Sequence, residues 1–408
     1  MASLGLQRLA GATTSSSSLS PASYLALGTT LGLTLAYLLR AHTLSSPLSH
    51  NKTIILAPSP APSPTHPYPP SSLPGARRVP TPYGTIQAYE FGPPQGPKVL
   101  LLPGIGTPVL ALGDLARSLA SGGHRVMMFD LFGRGYSDGV GDLPYDARLY
   151  VSQILLVLAS SPLAWTGGDA FHLVGYSLGG GLAVEFARWF GGLVRSLVLV
   201  AGGGLIRKDR HVGWRSRVLY SRGWLPEGWL ERLVEGRIRP SRGREGAGDE
   251  VEKEGRGGGG RHPGKDSDAN GGKGWDSTVL SKTGGVTVAD VMEWQIAEHR
   301  GFVKAFMSSI RYAPIYDRRE EWRELGRMLE ERRRGEGAVG LRGGKVLLVL
   351  GKTDTVIVRD ELIEDAKATL GEEAVEVVEI DAGHELVFTH GEDVAAAAVE
   401  FWRSIGAN

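Results

Sequence analysis

The stretch FHLVGYSLGGG, Phe171–Gly181, joins a short apolar run to a serine, Ser177, that is flanked by glycines. A helix-like pattern follows at once over residues 182–190. A strand, a sharp turn and a helix in this order raise the serine above the strand end, and the crowded turn requires residues without side chains two positions before and after it. Gly175 and Gly179 meet this requirement, so the stretch predicts a nucleophile turn.

The glycine–serine–glycine spacing is weak evidence when it is taken alone. Glycine makes up 58 of the 408 residues, so the spacing can arise by chance. Its place between an apolar run and a helical pattern is the context that the motif requires. A helix beginning just after Ser177 would also direct free N–H groups and its positive dipole end toward a developing oxyanion. Support must therefore come from other parts of the chain.

Composition excludes several classes of function. The length and the 42% apolar content allow one large domain or two small ones. A formal charge of +1 and the lack of a basic stripe with interleaved aromatics argue against nucleic acid as a partner. The chain has no cysteine, which excludes disulfides, thiolate metal sites and a cysteine nucleophile. We expect neither a metal ion nor a cofactor, and the oligomeric state stays open.

Residues 1–82 do not resemble a folded domain, because they are rich in Ser, Thr and Pro and contain no acidic residue. Within them lies an uncharged run at residues 22–39, which at about 18 residues is just long enough to span a bilayer. Tyr24 and Tyr37 lie near its ends, where interfacial aromatic residues occur. We therefore predict a single-pass transmembrane anchor at 22–39, followed by an extended proline-rich linker over residues 57–82.

Two alternatives compete with the anchor. A cleaved secretory signal is disfavoured, because about twenty mostly polar residues precede the apolar run. A mitochondrial presequence is supported by the serines, the missing acidic residues, and Arg8 and Arg40. A membrane location is thus the leading expectation and a mitochondrial one the alternative. Positive charges on both sides of the run leave the topology open.

After residue 82, short apolar runs alternate with helical patterns, which predicts β-α units and a mainly parallel sheet. The alternation stops between two core segments at 83–201 and 343–408, so residues 202–342 form a predicted helical lid. Its residues 241–273 are Gly-rich and charged, which predicts a disordered insertion. The predicted lid helices are Val286–Tyr312 and Asp317–Arg334. The predicted strands are Gly84–Phe91, Lys98–Leu102, Arg125–Asp130, Phe171–Gly175, Ser196–Val200, Lys345–Leu350 and Ala374–Ile380.

A serine nucleophile requires a base, normally histidine, and the histidine requires a group that fixes its tautomer. Asp354 follows the apolar run that ends at Leu350, and His384 follows the run that ends at Ile380. Because parallel strands end at one edge of a sheet, Ser177, Asp354 and His384 fall on the same side. The sequence therefore predicts a catalytic triad of these residues, with the nucleophile first, the acid second and the base last along the chain.

Other titratable residues are less well placed for these roles. His390 lies near the start of the last helical pattern rather than at a strand end, and His172 begins a strand at its far end from Ser177. Asp130 lies near a strand end but is better suited to shaping the turn that follows it. We therefore expect none of these three to take part in the chemistry.

The chain resembles the α/β-hydrolase superfamily from about Pro82 to Asn408, with the triad in that family's order. The resemblance implies an α/β-hydrolase fold, in which a mainly parallel central sheet is flanked by helices and carries an inserted helical lid. It also implies an oxyanion hole made by the backbone N–H groups of Leu178 and Ile105, and a lid that carries much of the substrate pocket. One departure is Pro103, where many relatives have histidine. The matching segments are PGIG (103–106), FDLFGRGYSD (129–138), GYSLGG (175–180), GKTDTVI (351–357) and DAGHELV (381–387).

The resemblance implies a serine hydrolase that cleaves a carboxylic ester or related acyl bond of a small molecule through an acyl-enzyme intermediate. A membrane anchor together with an apolar lid would suit a hydrophobic or lipid substrate. One alternative is hydrolysis of a carbon–carbon bond on the same fold, and another is a non-catalytic, membrane-tethered binding protein. Relatives with a carboxylate nucleophile are disfavoured by Ser177.

Overall fold

The computed structural model describes residues 20–45, 53–221, 225–240, 274–280, 285–337 and 339–407. The chain divides into two units, residues 1–51 and residues 52–408. The disordered insertion predicted at residues 241–273 lies outside the described residues.

The described part of the first unit contains one helix, α1, Pro21–Ser45, which covers the predicted anchor. Three threonine hydroxyls of this helix, those of Thr29, Thr30 and Thr34, donate to backbone carbonyls of the preceding turn. None of the helices in the described ranges combines the length and the apolar character that a membrane crossing demands. This finding does not support the prediction of a transmembrane anchor at residues 22–39.

The second unit alternates strands and helices along most of its length. Its strands are β1 (Ile54–Ile55), β2 (Ala76–Thr81), β3 (Gly84–Phe91), β4 (Lys98–Leu102), β5 (Arg125–Phe129), β6 (Gly139–Val140), β7 (Phe171–Tyr176), β8 (Val194–Val200), β9 (Val346–Gly351) and β10 (Val375–Ile380). Its α-helices are α2 (Gly113–Ser121), α3 (Ala147–Ala159), α4 (Leu178–Phe190), α5 (Lys208–His211), α6 (Trp214–Leu219), α7 (Glu227–Ile238), α8 (Val288–Glu298), α9 (Phe302–Tyr312), α10 (Arg319–Arg333), α11 (Arg359–Leu370), α12 (Leu386–Thr389) and α13 (Gly391–Ser404).

The main sheet has eight strands in the order β10-β9-β8-β7-β4-β5-β3-β2. The strands from β10 to β5 run parallel, whereas β3 is antiparallel to both β5 and β2. The chain progresses in opposite directions on the two sides of β4, so a crevice opens at the carboxyl ends of β4 and β7. These features confirm the predicted α/β-hydrolase fold, and they place the loop after β4 beside the turn after β7.

The central strands are covered by helices on both faces, which explains their continuous apolar runs. Every residue of β7 and of β9 is buried. Helix α2 packs with α13, whereas α4 packs with α3 and α10, and α10 packs with α11. Helix α10 therefore belongs to the core, although it falls within the predicted lid segment, and the described lid comprises α5 to α9.

The proline-rich segment at residues 57–82 is part of the second unit rather than a free linker. Tyr68 and Leu73 are only 2% and 1% exposed and lie in the hydrophobic core. The hydroxyl of Tyr136 donates to the carbonyl of Tyr68 at 2.6 Å, and β2 pairs with β3 along its whole length. The predicted linker and its boundary at residue 82 are therefore wrong, because isolated apolar side chains and an edge strand hold this segment on the domain.

The structure has two helices, α8 and α9, where a single helix is predicted over Val286–Tyr312. The helical conformation is interrupted at His299. The Nε2–H of this buried histidine donates to the carbonyl of Ser137 at 2.9 Å, and its Nδ1 accepts from the N–H of Gly301 at 3.2 Å. Burial lowers the pKa of His299 to about 4, so the imidazole is neutral at pH 7. The break between the helices therefore coincides with a tertiary contact to the loop after β5.

Candidate active site

Ser177 occupies the sharp turn between β7 and α4 with φ 52° and ψ −118°. A positive φ at a residue other than glycine is strained and requires fixing by its surroundings. The N–H of Ser177 donates to the carbonyl of Val200 at 3.0 Å, and its carbonyl accepts from the N–H groups of Gly180 and Gly203 at 2.9 and 2.8 Å. The strained turn is therefore held by the start of its own helix and by the end of the neighbouring strand.

The two glycines of the turn lie against backbone. A methyl group on Gly175 would overlap the carbonyl of Gly179, and one on Gly179 would overlap the carbonyl of Leu102 at the end of β4. Neither clash can be relieved by a change of rotamer, because the opposing atoms belong to the main chain. The close approach of β4, β7 and α4 therefore requires glycine at both positions.

We predict that Gly179→Ala lowers the free energy of unfolding by about 2 kcal/mol or more, because the methyl carbon overpacks a backbone contact. Urea denaturation followed by circular dichroism measures the change. Gly236→Ala in α7 is the matched control, since a methyl group there meets no atom within 4 Å, and a helical alanine stabilises by up to about 1 kcal/mol. Equal denaturation midpoints for the wild type and Gly179→Ala would contradict the prediction.

The structure brings the three predicted triad residues into one hydrogen-bonded chain. His384 Nε2 lies 3.0 Å from Ser177 Oγ, and His384 Nδ1 lies 2.9 Å from Asp354 Oδ2. The other oxygen of Asp354 accepts from the N–H groups of Val356 and Ile357, each at 2.8 Å. Because a carboxylate only accepts, His384 carries its proton on Nδ1, which leaves Nε2 free to accept from the serine hydroxyl.

Tyr176, directly before the serine, fixes the histidine loop, a role that the sequence analysis missed. Its hydroxyl donates to the carbonyl of His384 at 2.9 Å, and the two rings lie 5.3 Å apart. Burial, reinforced by the charges of Asp354 and Glu385, raises the pKa of Tyr176 well above its usual value. Tyr176 is therefore a neutral donor that ties the histidine loop to the nucleophile turn.

The two backbone groups expected in an oxyanion hole lie beside Ser177. Leu178 is the first residue of α4, so its N–H has no partner within the helix. The loop after β4 passes close to the serine, since a methyl group on Gly104 would lie 3.4 Å from Ser177 Cβ. Ile105, the next residue of this loop, lines the same cavity as Ser177 and Leu178.

A cavity of about 90 Å³ lies at the serine. Its lid wall includes the apolar side chains of Ile206, Val212, Ile310 and Ile315 together with the polar side chains of His211 and Arg237. The family resemblance implies a pocket formed largely by the lid, but it does not identify these residues. They come from separate segments of the lid, and no motif links them.

The other titratable residues considered from the sequence, His172, Asp130 and His390, make structural contacts outside the triad. His172 bonds to Ser196 at 2.8 Å and stacks on Trp402 at 4.1 Å, and burial lowers its pKa well below the usual value. Burial raises the pKa of Asp130 to about 7, opposed by N–H groups that donate to both of its oxygens. His390 precedes α13 and bonds to the neighbouring Thr389 hydroxyl.

The strand order, the serine turn and the linked histidine and carboxylate together define an α/β-hydrolase. A sequence profile of the alpha/beta hydrolase family matches residues 99–397. This match covers more than half of the chain, so the chain belongs to the alpha/beta hydrolase family and is a hydrolase of that family.

Similar proteins include one known by sequence and two by structure. An uncharacterised protein of Mycobacterium tuberculosis is 32% identical over 135 residues, which are 33% of this chain and 37% of that protein. The match therefore spans little more than a third of that relative. A carboxylesterase from Bacillus subtilis superposes with a TM-score of 0.53 at 17% identity, over 81% of this chain and 91% of that one. An esterase from a Rhodococcus species gives 0.51 at 17% identity, over 81% and 100%. Both structures show the shared fold.

Proposed function

We propose that this protein is a serine hydrolase that cleaves a carboxylic ester or a related acyl bond through an acyl-enzyme intermediate. The observation that carries the proposal is the hydrogen-bonded chain from Ser177 Oγ through His384 to Asp354, which lies at a cavity. A hydroxyl with a histidine base and an oriented imidazole is the arrangement that acyl transfer requires.

In the first half-reaction, Ser177 Oγ attacks the acyl carbon while His384 Nε2 takes the hydroxyl proton. The backbone N–H groups of Leu178 and Ile105 bind the negative oxygen of the tetrahedral intermediate. His384 then gives its proton to the leaving alcohol as the bond between the acyl carbon and the alcohol oxygen breaks. Asp354 stabilises the imidazolium that exists between these two proton transfers.

In the second half-reaction, water attacks the acyl-enzyme. His384 takes a proton from the water, and the same N–H groups bind the second oxyanion. Collapse of this intermediate breaks the bond to Ser177 Oγ, which regains its proton from His384. The carboxylic acid leaves and the free enzyme is restored.

The cavity supports a short acyl group. A water molecule requires about 10–15 Å³ by the same measure, so about 90 Å³ holds roughly six to nine groups of that size, about as many as the non-hydrogen atoms of a short acyl group. The isoleucine and valine side chains of its lid wall suit a short alkyl chain, and His211 and Arg237 line the same cavity. With the lid in the position described, this volume disfavours the long-chain lipid ester that the sequence analysis considered.

The proposal is tested by labelling with a fluorophosphonate probe and by hydrolysis of p-nitrophenyl esters of increasing chain length. We expect an adduct on the tryptic peptide that contains Ser177, and kcat/KM that falls about tenfold or more from butyrate to decanoate. Absence of an adduct in folded protein would show that this is a non-catalytic hydrolase-fold protein. Fastest hydrolysis of the longest ester would refute the short acyl group while leaving the nucleophile assigned.

A further inference from the structure

Arg134, in the loop after β5, is a fully buried guanidinium. All of its hydrogen bonds within the described structure end on neutral oxygens. They go to the carbonyls of Ile105 at 3.1 Å and Phe132 at 3.0 Å, and to the hydroxyls of Tyr150 at 3.0 Å and Ser309 at 2.9 Å. A buried charge that faces only neutral groups is costly. Its presence beside the candidate oxyanion hole therefore calls for a functional explanation.

The donor and the acceptor can be assigned in each hydrogen bond of the hydroxyls that contact Arg134. The hydroxyl of Ser309 donates to the carbonyl of Ala305 at 2.7 Å, so its oxygen can only accept from its other neighbours. The Tyr150 hydroxyl therefore donates to Ser309 Oγ at 2.7 Å, and both oxygens accept from Arg134. With these donors committed, the planar guanidinium cannot rotate, and its Nε–H stays directed at the carbonyl of Ile105.

The next carbonyl of the same loop is held in a similar way. Gln295, buried on α8, donates from Nε2 to the carbonyl of Gly106 at 3.0 Å and accepts from the N–H of Gly135 at 2.9 Å. Two successive carbonyls, those of Ile105 and Gly106, are thus bound by buried side chains. The peptide units 105–106 and 106–107, which directly follow the N–H of Ile105, are therefore held before any substrate binds. This restrains the loop that carries the N–H, and an oxyanion hole requires little reorganisation.

We propose that Arg134 is a positioning residue of the oxyanion hole. Its guanidinium fixes the peptide that follows Ile105, and its positive charge lies behind the loop whose N–H meets the developing oxyanion. In an interior of low dielectric constant, such a charge favours the transition state over the neutral ester. This proposal rests on the proposed function, because it concerns the second donor of the same hole.

The test compares Arg134→Met, which removes the charge, with Arg134→Lys, which keeps the charge but loses the fork of donors. Arg125→Met is the matched control, because Arg125 lies at the opposite end of β5 and bonds to Glu90 there. The measurements are kcat and KM with p-nitrophenyl butyrate, the inhibition constant of an alkyl trifluoromethyl ketone, which forms an oxyanion adduct on serine, and the melting temperature.

We expect Arg134→Met to lower kcat and to weaken the ketone in parallel, each about 30-fold, which is less than the loss of about 100-fold or more for an oxyanion donor itself. KM should change less than about threefold, because the neutral ester gains little from the group. Arg134→Lys should lose about tenfold in kcat. Arg125→Met should lower the melting temperature but keep kcat.

Values of kcat and of ketone inhibition within twofold of the wild type in Arg134→Lys and Arg134→Met would overturn the proposal. So would a rise in KM at constant kcat. If Arg134→Met gives no cooperative melt, the proposal is tested with the double variant Tyr150→Phe, Ser309→Ala. This variant removes two acceptors of the guanidinium and should lower kcat severalfold. An unchanged kcat in the double variant would overturn the proposal. A wild-type protein with neither turnover nor a fluorophosphonate adduct would instead overturn the proposed function, and this inference with it.

Discussion

Replacing Ser177 with alanine is expected to lower kcat for p-nitrophenyl butyrate about a millionfold, as for loss of the nucleophile in a serine-histidine-aspartate unit. His384 Nε2 then has no hydroxyl to deprotonate, and the acyl-enzyme cannot form. Stability should change little, because the backbone contacts that hold the turn do not involve the side chain. Steady-state kinetics, fluorophosphonate labelling and thermal melts of the variant measure these effects.

Ser196→Ala is the matched control for this variant. Ser196 on β8 also bonds to a buried histidine, since its hydroxyl lies 2.8 Å from Nδ1 of His172. Its removal should cost about 1 kcal/mol of stability, as for a buried hydrogen bond, and should leave kcat within severalfold of the wild type. If Ser177→Ala keeps a tenth or more of the wild-type kcat, the nucleophile is another group.

The strands could be predicted where burial determines the sequence. Each predicted strand of the main sheet is present. The inner strands β4, β7, β8 and β9 are the clearest, because a strand covered on both faces has a continuous apolar run. The edge strand β2, ARRVPT at Ala76–Thr81, was missed. Edge strands carry charges and tolerate proline, since one side has no ladder partner, and such a strand has no apolar signal.

Other features depend on contacts between distant parts of the chain. Nothing in the composition of the proline-rich segment shows that Tyr68 and Leu73 insert into the core. The break between α8 and α9 is equally hidden, because it depends on the bond from His299 to the carbonyl of Ser137. Local composition describes what a segment can do alone, and these segments are decided by partners far away in the sequence.

In the candidate site, too, some features follow from the local sequence and others depend on contacts with distant parts of the chain. The positions of Ser177, Asp354 and His384 at strand ends could be predicted, because the parallel sheet brings those ends to one edge, while their catalytic roles stay a prediction. The contacts of Arg134 and Gln295 could not, since they join core loops to Ser309 on α9 and to Gln295 itself on α8, and the packing of these lid helices has no sequence signature. The triad positions at the strand ends can therefore be predicted from this sequence, whereas the lid side chains that hold the loop after β4 cannot.

Asp354→Asn is expected to lower kcat about ten-thousandfold through the tautomer of the histidine. Asp354 Oδ1 accepts from two N–H groups, those of Val356 and Ile357. The asparagine carbonyl must take this place, so its NH₂ group faces His384 Nδ1. That nitrogen must then accept, which moves the imidazole proton to Nε2, where it faces Ser177 Oγ. A base that already carries its proton at this atom cannot deprotonate the serine.

The loss should appear in kcat and in the labelling rate, and not in the fold, because the asparagine keeps both backbone bonds. In proton NMR, the downfield signal of a histidine Nδ1–H shared with a carboxylate should be present in the wild type and absent in the variant. Asp146→Asn is the control, since Asp146 caps α3 by accepting from the N–H of Leu149, and asparagine caps a helix equally well. If Asp354→Asn keeps kcat within tenfold of the wild type, a group other than Asp354 orients His384.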